Sequence, residues 1–134
     1  MLLRWEDQDT MVDTRTLDDV LDEIAARVSD PVLVSLSGPA GALSLGLGHP
    51  GGGLLLFLPG DGSTGPLHSI GDVQARDGRD GDVRFRRAGQ SFCFSPRCLI
   101  PHDVMRDAAR FFVAAGTLPS QVSWEAEPSA AGPA

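Results

Sequence analysis

The sequence contains no lysine and no tyrosine, and aromatic residues make up only 6%. The missing lysine removes the phosphate-cradling loop G-x-x-x-x-G-K-[ST], whose lysine reaches the terminal phosphates. Scarce aromatics argue against the stacking platforms that hold single-stranded nucleic acid. There is no basic surplus either. Net charge is −7 and the pI is about 4.7, the wrong sign for neutralising phosphates. Cysteine is limited to Cys93 and Cys98, and a zinc site would need two further ligands at workable spacing. His49, His68 and His102 fall in turns or at a helix start, so no metal or other cofactor is expected. The apolar run Leu54 to Leu58 is far short of a membrane span. The opening MLLRWEDQD lacks the apolar region and cleavage site of a signal peptide. A cytoplasmic chain is therefore expected, touching neither membrane nor nucleic acid directly.

What remains fits one small domain. The 134 residues suffice for a single core. Residues 1–126 are expected to form it, followed by a flexible tail, EPSAAGPA, at 127–134. All eleven basic residues are arginine, and with abundant Ala, Gly and Pro this is the composition of a GC-rich coding sequence. Acids gather early: up to Asp30 there are nine, against three arginines.

Hydrophobic spacing gives the elements. Leu17, Val20, Leu21, Ile24 and Val28 recur every three or four residues, which predicts a helix from Thr16 to Val28. Thr16 is suited to cap it, and Asp18 and Asp19 favour its positive end. Alternation in PVLVSLS and GALSLGLG predicts a hairpin through the turn GPAG. In the second strand Leu43, Leu45 and Leu47 share one face, with Ala42, Ser44 and Gly46 opposite. GGGLLLFLPG is apolar on both faces, as a central strand would be. Weak strands are expected near His68 to Ala75 and Val83 to Arg87. QSFCFSP turns Phe92 and Phe94 inward. Pro101 opens a second helix, with Val104, Met105, Ala108, Phe111 and Phe112 on its apolar face, and Gly116 is suited to close it. Val122 and Trp124 then alternate as a strand. The expected class is α+β, a mainly antiparallel sheet of five or six strands with two amphipathic helices packed on it.

Catalytic signatures are absent. Around Ser63, Asp61 stands where a nucleophile elbow needs glycine. The arginines at 76, 79, 84, 86 and 87 alternate with Asp77, Asp80 and Asp82, which predicts cross-strand ion pairs rather than a phosphate site. No catalytic residue is assigned. A binding module is favoured over an enzyme, with a hydrolase using His68 and a nearby carboxylate as the weaker alternative.

The segment LIPHDVMRDAARFFVAAGTLPSQVSW resembles the closing signature of a bacterial immunity-protein family, the first-numbered class found beside polymorphic toxins. Its positions here are Pro101, Ala108 or Ala109, Phe112, Gly116, Pro119, Val122 and Trp124. Upstream, LSLGLGHPGGGLLLFLPGDG is similar to the family's glycine-punctuated hairpin. The resemblance implies a protein that binds a cognate toxin, a nucleic-acid deaminase, and occludes its active site. The rival reading is an acidic adaptor module that inhibits nothing. The expected contact surface is the loop set Asp61, His68, Asp72, Asp77 and Asp80. Asp18, Asp22 and Glu23 on the first helix form the second candidate.

Overall fold

A computed structural model describes residues 1–60, 65–71 and 83–126. The alternating segments become strands where they are described, and residues 72–75 of the strand expected from His68 to Ala75 lie outside the described residues. The strands are β1 (Leu2–Trp5), β2 (Gln8–Met11), β3 (Val32–Gly38), β4 (Gly41–Leu47), β5 (Leu54–Pro59), β6 (Leu67–Ile70), β7 (Val83–Arg87), β8 (Gln90–Phe94) and β9 (Ser123–Ala126). Two α-helices, α1 (Leu17–Arg27) and α2 (His102–Ala115), and a single 3-10 turn at Pro96–Cys98 complete the described elements. The class is α+β, as expected, but the sheet has nine strands among the described residues, in the order β2-β1-β3-β4-β5-β6-β9, with a β7–β8 hairpin joined at β3. All pairings are antiparallel except the short β3–β7 contact at Val32 and Arg86.

The additional strands come mainly from the N-terminus. Instead of trailing ahead of α1, it folds into the β1–β2 hairpin. Leu3 pairs with Leu36 and is buried, as is Val12. Helix capping also differs from the sequence reading. Asp13, rather than Thr16, does the work: its carboxylate accepts from the Thr16 amide at 3.0 Å, while the Thr16 hydroxyl accepts from the Asp13 amide at 3.0 Å. This reciprocal pair is a capping box one turn earlier.

One face of the sheet carries the main core. Val34, Leu36, Leu43, Leu45, Leu55 and Phe57 project from it against Leu17, Leu21 and Ile24 of α1 and Met105, Ala108 and Phe112 of α2. Phe112 meets Phe57 edge to face, with ring centroids 6.1 Å apart. Gly116 ends α2 at φ 76°, a conformation glycine adopts without strain, and its amide bonds to the Phe112 carbonyl. A second, smaller core lies on the opposite face, where Leu33, Leu54, Phe85, Cys98 and Leu99 cluster beneath the β7–β8 hairpin. Gly46 makes room for it: a Cβ there would lie 2.6 Å from the Phe85 ring.

Candidate functional site

The registers arrange the second face as rows running across the strands. One row is Leu33, Gly46 and Leu54, covered by Phe85 and its neighbours. The next runs Asp9, Arg4, Ser35, Ser44, Leu56, His68 and Glu125. The last runs Met11, Leu2, Ser37, Ala42 and Leu58. Both helices pack on the other face. A groove of about 520 Å³ follows the last two rows, with Arg4, Ser35, Ser37, Ala42, Arg87 and Ala88 among its lining residues.

Two arginines in this groove are held differently. Arg4 grips Asp9 with two bonds, Nε at 2.8 Å and Nη2 at 3.1 Å, so its charge is matched. Arg87 projects from the tip of the β7–β8 hairpin and donates Nη2 to Ser44 Oγ at 2.6 Å and to Ser35 Oγ at 3.3 Å. Both acceptors are neutral. Partial burial lowers the Arg87 pKa from its ordinary value. Among the described residues no carboxylate pairs with it.

The helix side is laid out in the opposite way. Arg106 reaches Asp18 at 3.1 Å and Asp22 at 2.9 Å. Arg110 reaches Asp18 at 2.6 Å and also binds Asp107. Partial burial works against the charged Asp18 carboxyl, but hydrogen bonds from both arginines outweigh it and hold its pKa below the usual range. Glu23 pairs with Arg27 one turn along α1 at 2.7 Å.

A third cluster has the outline of catalytic machinery. His68 Nδ1 lies 3.2 Å from Cys98 Sγ, and its Nε2 lies 3.8 Å from Glu125 Oε1. Thiol, imidazole and carboxylate in that order describe a nucleophile, a base and an orienting group. Two details oppose the chemistry. Cys98 is only 3% exposed, so the sulfur has no approach for a substrate carbonyl. Nδ1 also lies 3.2 Å from the Ser69 carbonyl oxygen, which can only accept, so that bond places the proton on the nitrogen a base would need free. Ser69 Oγ donates to the Cys98 carbonyl at 2.7 Å and accepts from the Leu55 amide at 3.1 Å. The cluster fastens β5, β6 and the segment before α2.

Against this geometry the sequence comparison is decisive. The family model for immunity protein Imm1 matches residues 6–126. This chain belongs to the Imm1 family. The matched stretch contains both helices and every described strand except β1. No curated protein matches the chain significantly. The Imm1 closing signature has a structural role throughout. Pro101 precedes the first residue of α2, Ala108, Ala109, Phe112 and Val122 are buried, and Trp124 Nε1 donates to the Pro119 carbonyl at 2.8 Å.

The contact residues expected from sequence are distributed unevenly over this Imm1 fold. Asp61, Asp72, Asp77 and Asp80 lie outside the described residues. His68 belongs to β6, where the sequence predicts a weak strand, and at 7% exposure it lacks the accessibility expected of a contact residue. Asp18, Asp22 and Glu23 share α1, but each already has an arginine partner. Sequence reasoning passed over Arg87, reading its neighbourhood as cross-strand ion pairs. The acids expected in those pairs, Asp77, Asp80 and Asp82, lie outside the described residues; Arg86 pairs instead with Asp30, ahead of β3, at 3.2 Å, whereas Arg87 sits on serines. The available signal was the alternation that puts Ser35, Ser37, Ala42 and Ser44 on one side of two central strands. Such small residues leave a sheet face open to something else.

Proposed function

We propose that this immunity protein neutralises a cognate toxin of the nucleic-acid deaminase class in the bacterial cytoplasm. It does so by stoichiometric binding that blocks the toxin's active site, and it performs no chemistry of its own. The observation carrying this reading is the family match from residue 6 to residue 126, which takes in nearly the whole described domain. Charge supports it: an enzyme acting on nucleic acid presents a basic substrate cleft, and a net charge of −7 complements one and speeds encounter. Toxin control calls for a Kd near nanomolar, about −12 kcal/mol. An interface of roughly 800 Å² per partner can supply that. Asp61, Asp72, Asp77 and Asp80, with Asp22 and Glu23 of α1, are proposed contacts, while His68 and Asp18 act mainly within the fold.

The test is co-expression with the product of the neighbouring toxin gene. The two proteins are expected to co-purify, and poisoned cells to survive. Survival no better with this protein than without it overturns the reading. Deamination by the toxin, assayed on single- and double-stranded DNA and on RNA, decides the toxin class.

A further inference from the structure

The bare rows of the sheet combine two features that a free protein gains nothing from keeping together. The first is apolar exposure at both ends of one row. Met11 is 69% exposed and Leu58 is 53% exposed, and the registers place them on the same face, joined through Leu2, Ser37 and Ala42. Five strands at about 4.8 Å spacing make this row roughly 20 Å long. Small side chains in its middle keep the floor low, and the hairpin tip rises beside it.

The second feature is the cation at that tip. Arg87 is fixed in place by two hydroxyls and by the Phe92 ring, 5.9 Å from its central carbon. Its planar fork is therefore pre-organised, and its charge remains unmatched among the described residues. Glu6 lines the same groove, and it forms no ion pair among the described residues. A cation held part-way out of water on neutral partners gains more from an incoming carboxylate than a solvated one does, and the fork favours two parallel bonds.

We propose that this open face is a docking site for the cognate toxin, seating a segment whose apolar side chains cover Met11, Leu2 and Leu58 and whose aspartate or glutamate pairs with Arg87. The inference rests on the immunity reading and gives it a second contact, opposite in sign to the acidic residues proposed there. An acidic protein with one buried-edge cation thereby discriminates: a uniformly basic surface meets repulsion at Arg87, and only a partner carrying an acid at that point fits.

The experiment measures the Kd of the purified full chain for the inactivated toxin encoded by the neighbouring gene. R87Q is expected to weaken binding at least about tenfold, as loss of a desolvated charge pair does. L58E, on an exposed side chain that the fold does not need, is expected to weaken it by about as much. Asp103→Asn, at an exposed position in the first turn of α2 on the helix side, serves as a contrast and leaves the Kd within about twofold. Thermal unfolding of each variant verifies the fold, and L58E keeps the test decisive should R87Q destabilise the hairpin. Wild-type binding with L58E and a folded R87Q both within about twofold of it overturns this docking mode and leaves the immunity reading intact. Failure of the wild-type protein to bind or protect overturns both. A free protein that sediments as a dimer, becoming monomeric with L58E, assigns the face to a second copy and overturns the inference.

Discussion

One sheet, two faces: β3, β4 and β5 send alternate residues to opposite sides, and the two sides have different work. Towards the helices go Val34, Leu36, Leu43, Leu45, Leu55 and Phe57, all buried. Away from them β3 and β4 send Ser35, Ser37, Ala42, Ser44 and Gly46, small residues that cannot fill a core alone, beside Leu33, Leu54, Leu56 and Leu58 on the same face. On the helix side Asp18 and Asp22 are cross-linked to Arg106 and Arg110, so opposite signs cancel within the molecule. On the far side Arg4 is likewise matched by Asp9, but Arg87 rests on hydroxyls, with no carboxylate partner among the described residues. The difference teaches that a net acidic composition says little about where a partner binds. Matched charges hold the fold together, and an unmatched one is what a partner meets.

The comparison can be broken most severely at the main core. Phe112→Ala leaves a cavity under α2 and is expected to cost about 3–5 kcal/mol in urea unfolding, with secondary loss of toxin protection. A Phe112→Ala protein as stable as wild type would deny that the helix face carries the stability. The smaller core should prove weaker. Gly46→Ala pushes a methyl into the Phe85 ring, at an expected cost of about 1–3 kcal/mol. Hydrogen exchange should show β7 amides opening well before those of β4, and simultaneous opening would mean that the hairpin is no separate unit.

The ion-pair lattice is worth less. Asp18→Asn is expected to cost on the order of 1 kcal/mol at neutral pH, because the group remains partly solvated. Its pH dependence has a fixed sign. The folded Asp18 carboxyl has a lowered pKa, so its contribution is present above the unfolded value of about 3.9 and is lost as pH falls through the folded one. Wild type and D18N should therefore converge in acid, as chemical denaturation across pH 2–7 would check. Smallest of all is the hairpin tip. Ala88 has φ 50° and Gly89 φ 85°, a turn in which both central residues are left-handed. Ala88→Gly relieves the first and should stabilise by about 0.5–1 kcal/mol, measured as a shift in the unfolding midpoint.

Local patterns made much of this fold legible. The β3–β4 hairpin, the apolar stripe of α2 and its glycine stop all follow from residues within a few positions of each other. What escaped depends on distant partners. Leu3 is a core residue because it meets Leu36, yet its own neighbourhood is short and acid-rich. His68 looked exposed among polar neighbours, and it is buried because Leu56 and Glu125 flank it across the sheet and Cys98 covers its ring. Asp18 looked exposed on α1, and its two arginines come from α2, 88 and 92 positions along the chain. Arg87 was the hardest to foresee, since its seat is built from serines 52 and 43 positions away. A pattern of charges along the sequence cannot show which of them will be satisfied.

The strand order has a practical sequel for watching this molecule in solution. Trp5 belongs to β1 and Trp124 to β9, near opposite margins of the sheet, and no tyrosine contributes to the emission. Replacing one indole at a time by phenylalanine leaves a single intrinsic lamp at a known margin. A toxin arriving beside β1 should then change the colour or brightness of one lamp and leave the other steady, which locates the encounter without any attached dye.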